Sequence, residues 1–190
     1  MSGLGHNGGP SMEPGFGFRK HAWGKARREL LPNLPLQIVR IRVARAKRLG
    51  LDYKTYATIR ATSGRDIVGF LFSGNALELR PQRIAVPERL QGRLAGLDGA
   101  AERVVAVYGP SHPQAVLAAN PGLIDMTAPA PGFTESWAAM RDRIKATLRE
   151  SNLPADGVVL VAATSVEREW CGGGQMAGIL TADRFFQPAA

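Results

Sequence analysis

The longest purely apolar run in the chain, residues 158–163, narrows the fold more than any other feature. A membrane-spanning helix needs about 20 such residues. A run this short, entered from Gly157, predicts a buried strand. A second run, Arg-Val-Val-Ala-Val-Tyr over residues 103–108, ends at Gly109-Pro110 and predicts another. Between them lies the clearest helix, residues 134–150. Phe133, Trp137, Met140, Ile144 and Leu148 form its apolar stripe, Thr134 is placed to cap it, and Asn152 and Pro154 follow its end. Residues 113–119 suit a short helix with proline in its first turn. Asn120-Pro121-Gly122 is a turn, and residues 123–126 suit a short strand. Thr164-Ser165-Val166-Glu167 has the spacing of a capping box and predicts a further helix start. Buried strands separated by helices specify a layered α/β sheet.

The N-terminal half is built differently. Residues 1–18 are rich in Gly with Ser, Asn and Pro, and predict a disordered tail. Residues 19–31 predict a short basic helix with Trp23, Ala26 and Leu30 on one stripe, stopped by Pro32 and Pro35. Pro35 then opens a helix over residues 36–49, with Val39, Val43, Ala46 and Leu49 on one face. Gly50 ends that helix, and Asp52 caps a second over residues 53–61. Residues 66–72 fit either a third helix or a buried strand. Leu90, Leu94 and Leu97, after Pro87, predict a surface helix. The expected class is α+β: a basic helical region over 19–79, a connecting segment over 80–102, and a small α/β layered domain over 103–190.

Charge divides the chain in the same way. Residues 1–60 hold 12 of the 24 Lys and Arg but 3 of the 16 Asp and Glu, so the net +8 is concentrated there. A basic surface of this kind attracts polyanions by Coulomb forces and counterion release. Duplex DNA, an acidic protein and an anionic membrane-associated complex are the partner classes it fits. Cys171 is the single cysteine, which excludes an internal disulfide and any zinc site built on several thiols. A reducing, cytoplasmic setting is expected. Residues 1–18 lack the apolar core of a signal peptide.

One stretch carries more specific chemistry. Residues 43–60 place small Ala46 where two helices cross, Gly50 at the turn, Leu49, Leu51 and Ile59 beneath the pair, and Asp52 at the second helix's start. This segment resembles the helix-turn-helix motif of bacterial DNA-binding proteins, which implies a role in transcription regulation. The resemblance sends the second helix into the major groove by its N-terminal end. Tyr53, Lys54, Thr58 and Thr62 would then face DNA. Lys54 would meet a phosphate or guanine edge, and Thr58 a base or a thymine methyl. Arg40, Arg42, Arg45 and Arg60 would meet phosphates, which set register. Arg19, Lys20, Lys25, Arg27 and Arg28 would form an arm along the backbone or in a minor groove. A homodimer follows from the symmetry usual in such readers. Arg45 and Tyr56 depart from the motif, standing where aliphatic residues are usual.

Catalytic signals are sparse. Cys171, before Gly172-Gly173-Gly174, and His112 are the one pair of nucleophile and base that a small Cys-dependent enzyme could use. The glycines form neither a phosphate loop nor a dinucleotide fingerprint. His6, His21 and His112 have no metal-ligand spacing, so no metal and no cofactor is expected. The non-enzymatic alternative to DNA binding is an adaptor docked on an acidic protein or a membrane-associated complex.

Overall fold

The computed structural model describes residues 34–187. Two units are distinguished, residues 1–39 and 40–190. The tail expected over 1–18 and the basic arm with Arg19, Lys20, Lys25, Arg27 and Arg28 lie outside the described residues. The described elements run α1 (Leu36–Arg48), α2 (Tyr53–Ser63), β1 (Gly69–Ser73), α3 (Glu88–Ala95), β2 (Glu102–Val107), α4 (Pro113–Ala119), β3 (Met126–Pro129), α5 (Trp137–Glu150), β4 (Val158–Ala162), α6 (Glu169–Gly174), β5 (Gly178–Thr181) and α7 (Ala182–Phe186).

The protein is a mixture of helix and strand around one five-stranded sheet in the order β3-β2-β1-β4-β5. Every neighbouring pair is parallel, with Leu71 of β1 facing Val104 of β2 and Leu160 of β4. A parallel sheet must be covered on both faces, so its central strands run almost continuously apolar; β1 carries one polar side chain, Ser73, at its carboxyl end. All five residues of β1 and of β4 are buried. Alternate side chains go to opposite faces. Phe70, Phe72, Val105, Val107, Val159 and Val161 join one core with Leu49, Ile59, Leu94, Val116 and Phe185 from helices and turns. Leu71, Val104, Ala106, Leu160 and Ala162 join the other with Met140, Ile144 and Leu148 of α5 and Trp170 of α6.

Residues 66–72, ambiguous from sequence, contribute the central strand. Of the two forms open to residues 66–72, the strand is the one taken, and β1 lies within the region 19–79 expected to be mainly helical. Residues 80–102, expected as a connecting helix or linker, take the helical form. They carry α3, whose Leu90 and Leu94 are buried with Leu97, as a crossover from β1 to β2. Three local expectations also shift. The third strand begins at Met126, because its register on β2 starts at Val104; Leu123 instead closes a turn on the Asn120 carbonyl. Helix α5 starts at Trp137, because the Ser136 hydroxyl accepts from the Ala139 amide at 3.3 Å and displaces Thr134 as cap. Phe133 and Trp137 are consequently 67% and 55% exposed and lie outside the core. Val43 is also exposed, so the buried stripe of α1 narrows to Ala46, continued by Leu49.

No helix among the described residues is long and apolar enough to cross a membrane.

Candidate functional site

The corner between α1 and α2 follows the local chemistry expected of it. Gly50 has φ +61°, a left-handed conformation that glycine takes without a Cβ penalty. Ala46, Leu49, Leu51 and Ile59 are buried beneath the corner. Asp52 accepts from the Thr55 amide at 2.8 Å and caps α2; the bonds from Thr55 hold its carboxyl below the usual range. Arg93 of α3 lies under the turn. It donates to the Gly50 carbonyl and, at 3.0 Å, to the Phe185 carbonyl, with its guanidinium 4.6 Å from the Phe185 ring centre.

Both departures from the motif converge on one carboxylate. Arg45 Nε donates to Asp66 Oδ2 at 3.0 Å, and Arg45 Nη2 donates to the Ile67 carbonyl at 2.6 Å. The Tyr56 hydroxyl donates to Asp66 Oδ1 at 2.8 Å. Arg60 Nη1 stands 3.4 Å from the same oxygen. Burial opposes ionisation of Asp66, but Tyr56, Arg45 and the Ile67 amide outweigh it and hold the carboxyl below its usual range. Burial, then Asp66, raises the Tyr56 hydroxyl, so it stays a donor. A polar cluster thus replaces the aliphatic contacts usual at these two positions. Arg45 and Arg60, expected at phosphates, are turned inward by their Asp66 partner.

The other expected contacts divide by exposure. Arg40, Lys54 and Thr58 are exposed, whereas Arg42 and Tyr53 are half-buried, Tyr53 packing against the core. The Thr58 hydroxyl donates to the Lys54 carbonyl at 2.8 Å, leaving its methyl and acceptor lone pairs for an outside partner. Lys54, Thr58 and Arg184 border a shared groove of about 360 Å³ with Ile179 of β5. Arg184 stands 3.7 Å from Asp52 and offsets its charge at the N-terminal end of α2.

A second place, missed in the sequence, lies at the carboxyl ends of β1, β2 and β4. The Glu167 side chain is fully buried there. Its Oε1 accepts from Asn75 Nδ2 at 2.8 Å and from the Tyr108 hydroxyl at 3.0 Å. Its Oε2 accepts from the amides of Ala163 at 2.8 Å and Thr164 at 2.9 Å. The Thr164 hydroxyl accepts from the Glu167 amide at 3.3 Å, so the capping-box spacing does produce its reciprocal pair. It closes the turn after β4, and α6 begins two residues later, at Glu169. Burial, followed by the Glu167 charge, pushes the Tyr108 hydroxyl far above its usual range. Tyr108 stacks on Phe133 with ring centres 5.0 Å apart and planes at 6°. A cavity of about 160 Å³ opens beside the pair, lined by Gly74, Asn75, Arg80, Ser111 and apolar neighbours. Only the capping-box spacing hinted at this arrangement. Asn75, Arg80 and Tyr108 carry no motif, because they meet only when three parallel strands align their ends.

The Cys171–His112 pair gains no support from chemistry. Burial pushes the Cys171 thiol up, and its hydrogen-bond partner is the Met176 carbonyl at 3.9 Å. A thiol held protonated is a weak nucleophile. His112 is exposed at the start of α4, and no hydrogen bond joins it to Cys171. Among the described residues, no cluster of three or more His, Cys, Asp or Glu could hold a metal.

Together these features define a parallel α/β protein with a capped two-helix corner packed into one face of its sheet. No family model, curated protein or solved structure matches the chain.

Proposed function

We propose that the α1–α2 corner is a helix-turn-helix unit through which the protein contacts duplex DNA, with the parallel sheet as its scaffold. The observation that carries this reading is the corner itself: a left-handed Gly50 between buried Ala46 and Leu49 on one side and buried Leu51 and Ile59 on the other. That burial leaves Lys54, Thr58 and Thr62 exposed along one side of α2. Lys54 supplies a cation and Thr58 a methyl for the major groove. Arg40 and Lys47 on α1 supply exposed charge for phosphates. Arg45 and Arg60 hold the corner together through Asp66 rather than touching DNA.

The test is duplex binding by fluorescence anisotropy across a salt series. Affinity is expected to fall steeply with salt. Changing Lys54→Ala together with Thr58→Ala is expected to cost about tenfold in discrimination between a selected site and random duplex. Equal, weak binding to heparin and to every duplex would reduce the effect to bulk charge and sink the reading.

A second reading has one observation in its favour. Ile41 and Val43 are 65% and 45% exposed on the same helix as Arg40 and Arg42. Aliphatic groups beside cations suit an acidic protein partner better than a phosphate backbone. Under that reading Ile41→Asp abolishes partner capture and leaves duplex binding unchanged.

A further inference from the structure

In a sheet of order β3-β2-β1-β4-β5, the chain winds from β1 through β2 to β3 at one edge, then crosses back to β4 and β5 at the other. The loops at the carboxyl ends of β1 and β4 therefore diverge, and open α/β sheets use the crevice between them for ligands. Here the protein's own Glu167 occupies the crevice. Its carboxylate takes four donors, the Asn75 amide, the Tyr108 hydroxyl and the Ala163 and Thr164 amides. The open space is displaced by one strand, to the ends of β1 and β2.

That space is built from fixed parts. Gly74 turns back on β2, its amide donating to the Ala106 carbonyl at 2.8 Å. A Cβ at Gly74 would stand 3.2 Å from that oxygen, closer than such contacts normally allow. Arg80 is the one charged residue lining the cavity among the described residues. Its Nη1 donates to Asn75 Oδ1 at 3.2 Å and to the Leu79 carbonyl at 2.8 Å. Asn75 is in turn held by Glu167, so buried carboxylate, amide and guanidinium form one chain. Among the described residues, no carboxylate lies within ion-pair reach of Arg80, and its Nε and Nη2 have no hydrogen-bond partner. The Ser111 hydroxyl also has no partner among the described residues. Leu79, Val107 and the Tyr108–Phe133 stack supply the apolar part of the same lining.

We propose that this cavity binds a small molecule in which a single flat ring carries one anionic group, the ring against the Tyr108–Phe133 pair and the anion at Arg80. A guanidinium with two unused donor nitrogens prefers a carboxylate or phosphate over a neutral group. A stacked aromatic pair whose outer ring is 67% exposed prefers another flat ring. The volume of about 160 Å³ falls below the ~300 Å³ at which sites for drug-sized ligands begin, so a dinucleotide does not fit. Benzoate and phenyl phosphate share the required chemistry and differ only in the acid.

The experiment is an amide-resonance NMR titration of the full chain with benzoate, phenyl phosphate, benzamide and acetate. At least one of the two ring acids is expected to give saturable shifts at Gly74, Tyr108 and Ser111, and the stronger one identifies the acid. Benzamide, which lacks the charge, and acetate, which lacks the ring, are expected to bind at least about tenfold more weakly. Arg80→Ala and Phe133→Ala are each expected to weaken the ring acid by about tenfold. Both side chains are exposed, and the unliganded spectrum of each variant reports that the fold is kept. The proposal is overturned if neither acid saturates at millimolar concentration, or if either variant binds as the parent does. None of these residues lies on α2, so its failure leaves the DNA reading untouched.

Discussion

Asp66 shows how one carboxylate can accommodate polar side chains at positions where the proposed motif usually carries aliphatic ones. Arg45 and Tyr56 sit where aliphatic side chains are usual, yet Arg45, Tyr56 and the Ile67 amide all donate to the Asp66 carboxylate. Because its folded pKa is lowered, Asp66 contributes stability above its unfolded value of about 3.9, and the contribution is lost as pH falls through the folded value. Asp66→Asn is expected to cost about 1–2 kcal/mol at neutral pH, discounted for the partial exposure of the cluster. The gap between parent and variant in urea unfolding should close below about pH 4; a gap that stays constant would mean the charge is not what matters. Gly50 is a second test at this scale. A Cβ there would be strained at φ +61° and would collide with the Arg93 guanidinium. Gly50→Ala is expected to cost at least about 1 kcal/mol, read as a lower Tm. A neutral outcome would mean that the corner relaxes freely.

Elements depend on where their ends find partners. The stripe of α5 was legible from residue spacing, but its first turn was not, because the choice between Thr134 and Ser136 as cap is made by a 3.3 Å bond to Ala139. Phe133 and Trp137 therefore leave the helix's buried face, and Phe133 stacks on Tyr108. The turn after β4 is the opposite case. Thr164 and Glu167 have capping-box spacing and make the reciprocal pair, but the carboxylate has a further task in gathering Asn75 and Tyr108. Glu167→Ala leaves those part-buried donors without their acceptor and is expected to cost roughly 1–3 kcal/mol. Glu167→Gln keeps an acceptor and should cost less than half of that in the same urea titration. Equal losses would point to packing rather than to hydrogen bonding.

At the scale of the molecule, the sheet decides what can fold alone. β1 pairs with β2 on one side and β4 on the other. A fragment of residues 103–190 loses that central strand and exposes two unpaired strand edges. It is expected to show no cooperative thermal transition by circular dichroism, whereas the full chain melts cooperatively. A fragment that folds would restore the boundary expected near residue 103.

The sequence by itself determined the features that arise within one stretch of chain. These are the apolar runs of β2 and β4, the cap at Asp52, the left-handed turn at Gly50 and the concentration of charge before residue 61. Each depends on contacts a few residues apart, so composition and spacing are enough to reveal it. Only the tertiary structure decided that residues 69–73 are the central strand, that Arg45 and Arg60 turn inward, and that Asn75, Arg80, Tyr108 and Glu167 come together. Those outcomes depend on hydrogen-bond partners up to 92 residues distant along the chain, which the parallel sheet brings into register and local pattern does not encode.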